Sequence, residues 1–424
     1  TYVAYFFAHN DGDGDFGPNA DQDIIKCGSY TGNGSSSGVE VDLGFEPQWI
    51  LVKSATQNST NWTITDVMRG WTVGNGQNYI YPHTSGAEVS TTTNLIDPLP
   101  NGFKVFGTGS NFNTSGQTYI YMAIRRGTKV PESATEVFAP AVQGVSGANP
   151  TYPTGIVTDF SITTSLGVSD KKIMTRLLGA TELVASDSSQ EGSYTNAVWD
   201  YMNGWGNETN QTNKYSWAWK RAPKYFDVVA YTGNDVTSSA RAIKHNLGVV
   251  PEMIWVKSRS TGHWFVYSAS LGNGKVMYLN FSNAAQSGSH WGTTTPTNEN
   301  FYVQSSETND TTNFMAYLFT TLAGVSKCGS YTGNGSTQTI DCGFTSGARF
   351  VLIKRTAYDG WIVFDSVRGI TSSSADPYIY LDSTAAQTTG GNRDVNPANS
   401  GFIVNGASDS TNGSGSTYIF YAIA

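Results

Sequence analysis

The sequence predicts an all-β chain of tandem antiparallel sandwich modules, on three observations. The run Lys26-Cys27-Gly28-Ser29-Tyr30-Thr31-Gly32-Asn33-Gly34 recurs letter for letter as Lys327-Cys328-Gly329-Ser330-Tyr331-Thr332-Gly333-Asn334-Gly335, and self-similarity of this kind decides architecture before any single residue does. An aromatic, β-branched run occurs five times, first as Thr1-Tyr2-Val3-Ala4-Tyr5-Phe6-Phe7-Ala8 and last as Thr417-Tyr418-Ile419-Phe420-Tyr421-Ala422-Ile423-Ala424. Only 14% of residues are charged, whereas Gly, Ser, Thr, Asn and aromatics abound, a balance that suits short strands and tight turns.

Taken in order, the first aromatic run reads as the last strand of a domain whose body is absent, and residues 9–24 as a polar, glycine-rich connector. Residues 1–24 are therefore set apart. A first full module, 25–126, opens on the repeated run, continues through Trp49-Ile50-Leu51-Val52-Lys53 and Trp62-Thr63-Ile64-Thr65-Asp66, and closes on Thr118-Tyr119-Ile120-Tyr121-Met122-Ala123-Ile124. Alternation of Ile50 and Val52 against Leu51 and Lys53 fits a strand with one face inward. The last module, 321–424, repeats this plan: Phe350-Val351-Leu352-Ile353-Lys354 answers Trp49 to Lys53, and Trp361-Ile362-Val363-Phe364-Asp365 answers Trp62 to Asp66. Module three, 223–320, is more diverged. Module two, 127–222, is degenerate: its opening strand is not evident, and residues 138–155 read as a proline-rich linker or arm. Modules of about 100 residues are close to an independent β-domain in size, so each is expected to own a core. The joints between the later modules are short, which predicts a semi-rigid rod rather than tethered beads.

The net charge of -8, with no basic cluster to offset it, disfavours nucleic acid and anionic membrane as partners. No apolar run approaches the roughly 18 residues of a membrane span. Three cysteines in 424 residues cannot make a disulfide scaffold. Cys342 aligns with Leu43 and reads as a small buried hydrophobe, with a Cys328–Cys342 bridge as the alternative.

Enzymatic chemistry finds little purchase. The five histidines, His9, His83, His245, His263 and His290, include no pair at metal-ligand spacing, and no nucleophile elbow, phosphate loop or dinucleotide fingerprint is present. Asp66 with Arg69 and Asp365 with Arg368 read as repeated structural ion pairs. The acidic run Asp11, Asp13, Asp15, with Asp21 beyond it, reads as a solvated linker or as a loop able to hold calcium, since hard cations want several oxygens on a flexible loop. It departs from the EF-hand pattern at Phe16 and Gln22. Trp62, Trp264 and Trp361 recur at one strand position and read as core tryptophans. Trp71, Trp205 and Trp291 lie in or near loops and are the candidates for stacking on sugar rings.

Several segments resemble the tandem β-domains of bacteriophage virion appendage proteins, particularly of phages that infect marine bacteria. They are Cys-Gly-Ser-Tyr-Thr-Gly-Asn-Gly at 27–34 and 328–335, Asp227-Val228-Val229-Ala230-Tyr231-Thr232-Gly233, His245-Asn246-Leu247-Gly248-Val249-Val250-Pro251-Glu252-Met253-Ile254-Trp255-Val256-Lys257, and the terminal Tyr418 to Ala424. The resemblance covers nearly the whole chain and implies lectin-type, concanavalin-like or jelly-roll-like sandwiches in a tail fibre or similar protein on the virion surface. It supplies no catalytic residues. The expected function is non-enzymatic: multivalent attachment to a host-surface glycan or receptor, with other virion proteins as partners and a homo-oligomer, by default a trimer, although no heptads enforce one. The alternatives are a non-binding spacer or capsid decoration, and a glycan depolymerase.

Overall fold

The computed structural model describes residues 2–9, 16–17, 22–74, 76–209, 211, 213–372, 375–390 and 393–424. It is nearly all β, built of antiparallel sheets, and among the described residues no helix is long and apolar enough to cross a membrane. The chain forms two compact units, Thr1–Thr128 with Arg176–Gly179 and Lys244–Gly248, and Lys129–Thr175 with Ala180–Ile243 and Val249–Ala424.

Unit 1 carries the first module as a sandwich. One sheet has the order Ile25–Thr31, Thr118–Arg125, Pro47–Ser54, Thr63–Asp66, and the other the order Val39–Asp42, Gly102–Val105, Ile96–Leu99. Alternate residues of the first sheet, Ile50, Val52, Tyr119, Tyr121 and Ala123, meet Val41, Ile96, Phe103 and Val105 of the second in one core, as the period-2 alternation requires. Their neighbours point the other way: Trp49, Leu51, Ile64, Met122 and Ile124 are only half-buried, and Trp62 and Ile120 are exposed. This sheet is therefore apolar on both faces, and one face is open. Residues 2–9 carry no strand, and Tyr2, Val3, Tyr5, Phe6 and Phe7 are exposed.

The repeated motif is a structural device. Tyr30 donates its hydroxyl to the Phe112 carbonyl at 2.8 Å and stacks on Tyr119 at 5.1 Å. Tyr231 and Tyr331 do the same with Thr308 and Thr411, stacking on Phe314 and Tyr418. In the turn that follows, the Asn33 N–H donates to the buried Asn113 side chain at 2.9 Å, and Asn334 to Asn412 at 3.0 Å. Gly28 passes beneath the Tyr121 ring, where an added Cβ would sit 2.5 Å from the hydroxyl. That close approach demands glycine.

Unit 2 holds three six-stranded sheets, one per remaining module, and in each an opening strand pairs with a closing strand that also pairs with a middle strand. The middle strands are Phe160–Ser165, Met253–Ser258 and Phe350–Arg355, and the closing strands Lys214–Trp219, Asn313–Phe319 and Thr417–Ile423. Modules three and four add small second sheets, of strands Arg241–Lys244 and Asn300–Val303 and of Gln338–Asp341, Gly401–Val404 and Val395–Ala398. Module two has none among the described residues; its inner face is covered by Tyr152, Met174, Ala197, Trp199 and Trp205. Its opening strand is Phe138–Gln143, irregular between Ala139 and Val142. The proline-rich arm expected over 138–155 is thus a ladder strand in its first third, with Pro140 tolerated at the irregularity.

On the outer faces of their sheets the three modules of unit 2 pack against one another, and here the expected end-to-end stacking gives way to a ring. Phe160 packs on Phe226 at 5.1 Å and on Tyr317 at 5.0 Å, Phe319 on Tyr421 at 4.9 Å, and Phe350 on Phe138 at 5.5 Å and Trp219 at 5.4 Å. Each module therefore touches both others through buried aromatics, each of which contributes about 1.5–3 kcal/mol by leaving water.

The joints repeat cyclically. Gly262 N–H donates to the Ser188 carbonyl at 2.9 Å, Asp359 to Ser282 at 2.8 Å and Ser169 to Thr384 at 2.9 Å. In return Glu191 N–H donates to Arg259 at 2.8 Å, Ala285 to Thr356 at 2.8 Å and Gln387 to Leu166 at 2.9 Å. Trp264 Nε1 reaches the Val184 carbonyl at 2.8 Å and Trp361 Nε1 the Tyr278 carbonyl at 2.7 Å. Register places Lys171 at the same position in module two, and its Nζ reaches the Ala385 carbonyl at 3.1 Å. One joint geometry occurs three times and closes on itself.

Candidate functional site

None of the three loop tryptophans offers a face to a ligand. Trp71 is fully buried in unit 1 and donates Nε1 to the Ile96 carbonyl at 2.8 Å. Trp205 is stacked between Tyr152 at 4.8 Å and Trp199 at 5.1 Å, with Nε1 on Ser216 Oγ at 3.0 Å. Trp291 is buried against Tyr267 and donates to the Lys275 carbonyl at 3.1 Å. Position in a loop says nothing about which way an indole turns, and here each fills the end of a core with its N–H satisfied. Conversely Trp62, read as core with Trp264 and Trp361, is 36% exposed while the other two are fully buried.

The calcium candidates Asp11, Asp13, Asp15 and Asp21 lie outside the described residues. Among the described residues no group of three His, Cys, Asp or Glu is placed to hold a metal. All three cysteines are free, and Cys328 and Cys342 are buried hydrophobes. Asp66 and Arg69 form an ion pair at 3.1 Å, and Asp365 pairs with Arg368 while also accepting Trp217 Nε1 at 3.1 Å. Both aspartates also accept the backbone N–H of their arginine, so they anchor turns.

Among the described residues, a cleft of about 560 Å³ in unit 2, built mainly from module four, has the character of a binding site. Tyr358, 71% exposed, stands at its rim on the loop between the middle strand and Trp361–Asp365. Arg355, the last residue of the middle strand, pairs with the exposed Asp409 at 3.2 Å. Arg393 donates Nε to Ser410 at 3.0 Å and lies 5.4 Å over the Tyr378 ring. Tyr380, whose hydroxyl burial pushes up to about 12, lines the floor with Asp382.

Burial raises the Asp382 carboxyl to about 6, although the Trp361 N–H, donating at 2.9 Å, pulls it down. In module three the equivalent Trp264 N–H is accepted at 3.1 Å by Asn280. The fold needs an acceptor there and no charge. The carboxyl is therefore particular to this cleft.

Register makes the same point for its neighbours. Where module four has Arg355, the other modules have Ser54, Ser165 and Ser258, and where it has Arg393, the first has Asn94. Departures from the repeat thus gather in one place. Read only as loop chemistry, these residues are scattered over 355–410; aligned against the repeat, they stand out. Guanidinium and carboxylate groups beside tyrosine faces are the equipment for holding hydroxyl-rich ligands.

Comparison with known proteins adds a family and no chemistry. No curated protein and no solved structure matches the chain. A family model described as a domain of unknown function, DUF7483, matches residues 1–126 and 180–424 and leaves out the first half of the degenerate module. With most of its length matched, the chain belongs to the DUF7483 family.

Proposed function

We propose that this chain is a bacteriophage virion surface protein, a tail fibre or similar appendage, that attaches to glycan on the host surface through the cleft of module four. The observation that carries the attachment is the concentration of module-specific Arg355, Asp382 and Arg393 around Tyr358 and Tyr380 in one open, water-accessible groove. The resemblance of the repeated segments to virion appendage modules supports the setting. One such site binds weakly, and copies presented together raise avidity by orders of magnitude.

The test is a glycan array and a host-cell adsorption assay with the purified chain. Arg393→Ala and Tyr358→Ala each should weaken retained binding at least tenfold, on the order of 1.4 kcal/mol, with the fold intact by circular dichroism. Failure of the wild-type chain in both assays favours the spacer reading. One observation favours a depolymerase: two carboxyls, Asp359 and Asp382, line the same cleft, and burial raises Asp382 toward the range of a general acid. Release of reducing ends from host polysaccharide, abolished in Asp382→Asn, would establish that activity.

A further inference from the structure

The open face of the first module's sheet has a counterpart in every other module, and there it is buried. Register equates Trp49 with Phe160, Met253 and Phe350, and Leu51 with Ile162, Trp255 and Leu352. Met122 corresponds to Trp217, Tyr317 and Tyr421, and Ile64 to Ile173, Val266 and Val363. Every one of these counterparts in modules two to four is at most 1% exposed, because the ring covers it. Their equivalents in module one are half-buried, Trp62 is 36% exposed and Ile120 is 40% exposed.

The difference does not lie in the residue types. Trp49-Ile50-Leu51-Val52 is apolar on consecutive positions, the mark of a strand covered on both sides, just as Phe350-Val351-Leu352-Ile353 is. Contiguous apolar patches of this kind on a soluble surface mark interaction sites. The face is written for a ring whose other two members are not in unit 1.

We propose that three copies of this chain associate through the outer face of the first module's sheet, reproducing between chains the ring that modules two to four make within one. The occupant is a second and a third copy of the same module, because the surface that covers each counterpart in unit 2 is another module of this family with its aromatic closing strand. Trp62 of one copy then donates Nε1 to the Tyr81 carbonyl of the next, as Trp264 does to Val184 and Trp361 to Tyr278, since register equates Tyr81 with both acceptors. Residues 82–88, now exposed, become the counterpart of 279–285, whose Ala285 N–H binds the Thr356 carbonyl across a joint. Three equal copies make the interface close without leaving an unpaired face.

The assay is sedimentation equilibrium or light scattering on the purified 424-residue chain at tens of micromolar, where a mass three times 45.6 kDa is expected. Leu51→Asp and Ile120→Asp should give the monomer mass with an unchanged far-ultraviolet spectrum, and the milder Ile120→Ser should raise the dissociation concentration at least tenfold. Val168→Asp, at an exposed position of unit 2, should leave the trimer untouched. A wild-type monomer or dimer, or a trimer indifferent to both face variants, overturns the proposal. A monomer that still binds glycan would overturn it and leave the attachment reading standing.

Discussion

Asp382 and Asn280 occupy the same place and accept the same backbone N–H, and the difference between them is a charge the fold does not need. Because burial raises the Asp382 carboxyl to about 6, the folded state binds its proton more tightly than the unfolded chain. Its contribution is fully present below about pH 4 and is lost as pH rises through 6. Asp382→Asn should therefore raise the melting temperature at pH 7 and leave it nearly unchanged at pH 4, while glycan binding falls at pH 7. A variant destabilised at pH 7 but not at pH 4 would contradict this and show that the charged carboxylate itself holds the loop.

Three buried lysines act in the opposite range. Burial lowers Lys171, Lys257 and Lys354 to about 8, and the Nζ of Lys257 and Lys354 caps loop carbonyls beside the tryptophan strand. Between pH 8 and 10.5 the unfolded chain then holds more protons, so stability rises with pH. Buried tyrosines such as Tyr231, Tyr331 and Tyr421, raised well above 10 by burial, reverse the slope once their unfolded counterparts ionise. Urea midpoints should climb from pH 8 toward 10 and fall beyond it; a monotonic decline from pH 8 would contradict the burial of these amines.

At the scale of elements, one strand position behaves in two ways according to what lies opposite. Trp361 gives its N–H to the Tyr278 carbonyl, so Trp361→Phe leaves a buried carbonyl unpaired and should cost about 1–3 kcal/mol. The same change at Trp62, exposed in the single chain, should cost under 0.5 kcal/mol in a dissociated monomer. Denaturant titration of the two variants at low protein concentration separates them, and equal losses would contradict the assignment of Trp361 to a joint.

Strand order and the repeat were legible because each module must satisfy the same local demands: the Tyr30-type hydroxyl, the turn held by Asn113, the close pass at Gly28. The ring was not. Its contacts come from outward residues such as Phe160 and Trp264, and a run like Met253 to Val256 shows that both faces are covered without saying by what. The loop tryptophans turn inward for a related reason. Loop position fixed their place along the chain, while the direction of Trp205 is set by Tyr152 and Trp199, far from it in sequence or on its other side. The cleft was hidden differently, since Arg355, Asp382 and Arg393 carry meaning only against the Ser, Asn and Asn that stand at their places in other modules.

At the scale of unit 2, three modules share the core that lies between the outer faces of their sheets. If Phe160, Phe319, Phe350 and their partners form a single core, no module of the three can open alone. Native-state hydrogen exchange of the closing strands Lys214–Trp219, Asn313–Phe319 and Thr417–Ile423 tests this most directly. The expected result is one opening free energy common to all three, within about 1 kcal/mol, falling together with added denaturant. Three separate values, each with its own denaturant slope, would contradict it.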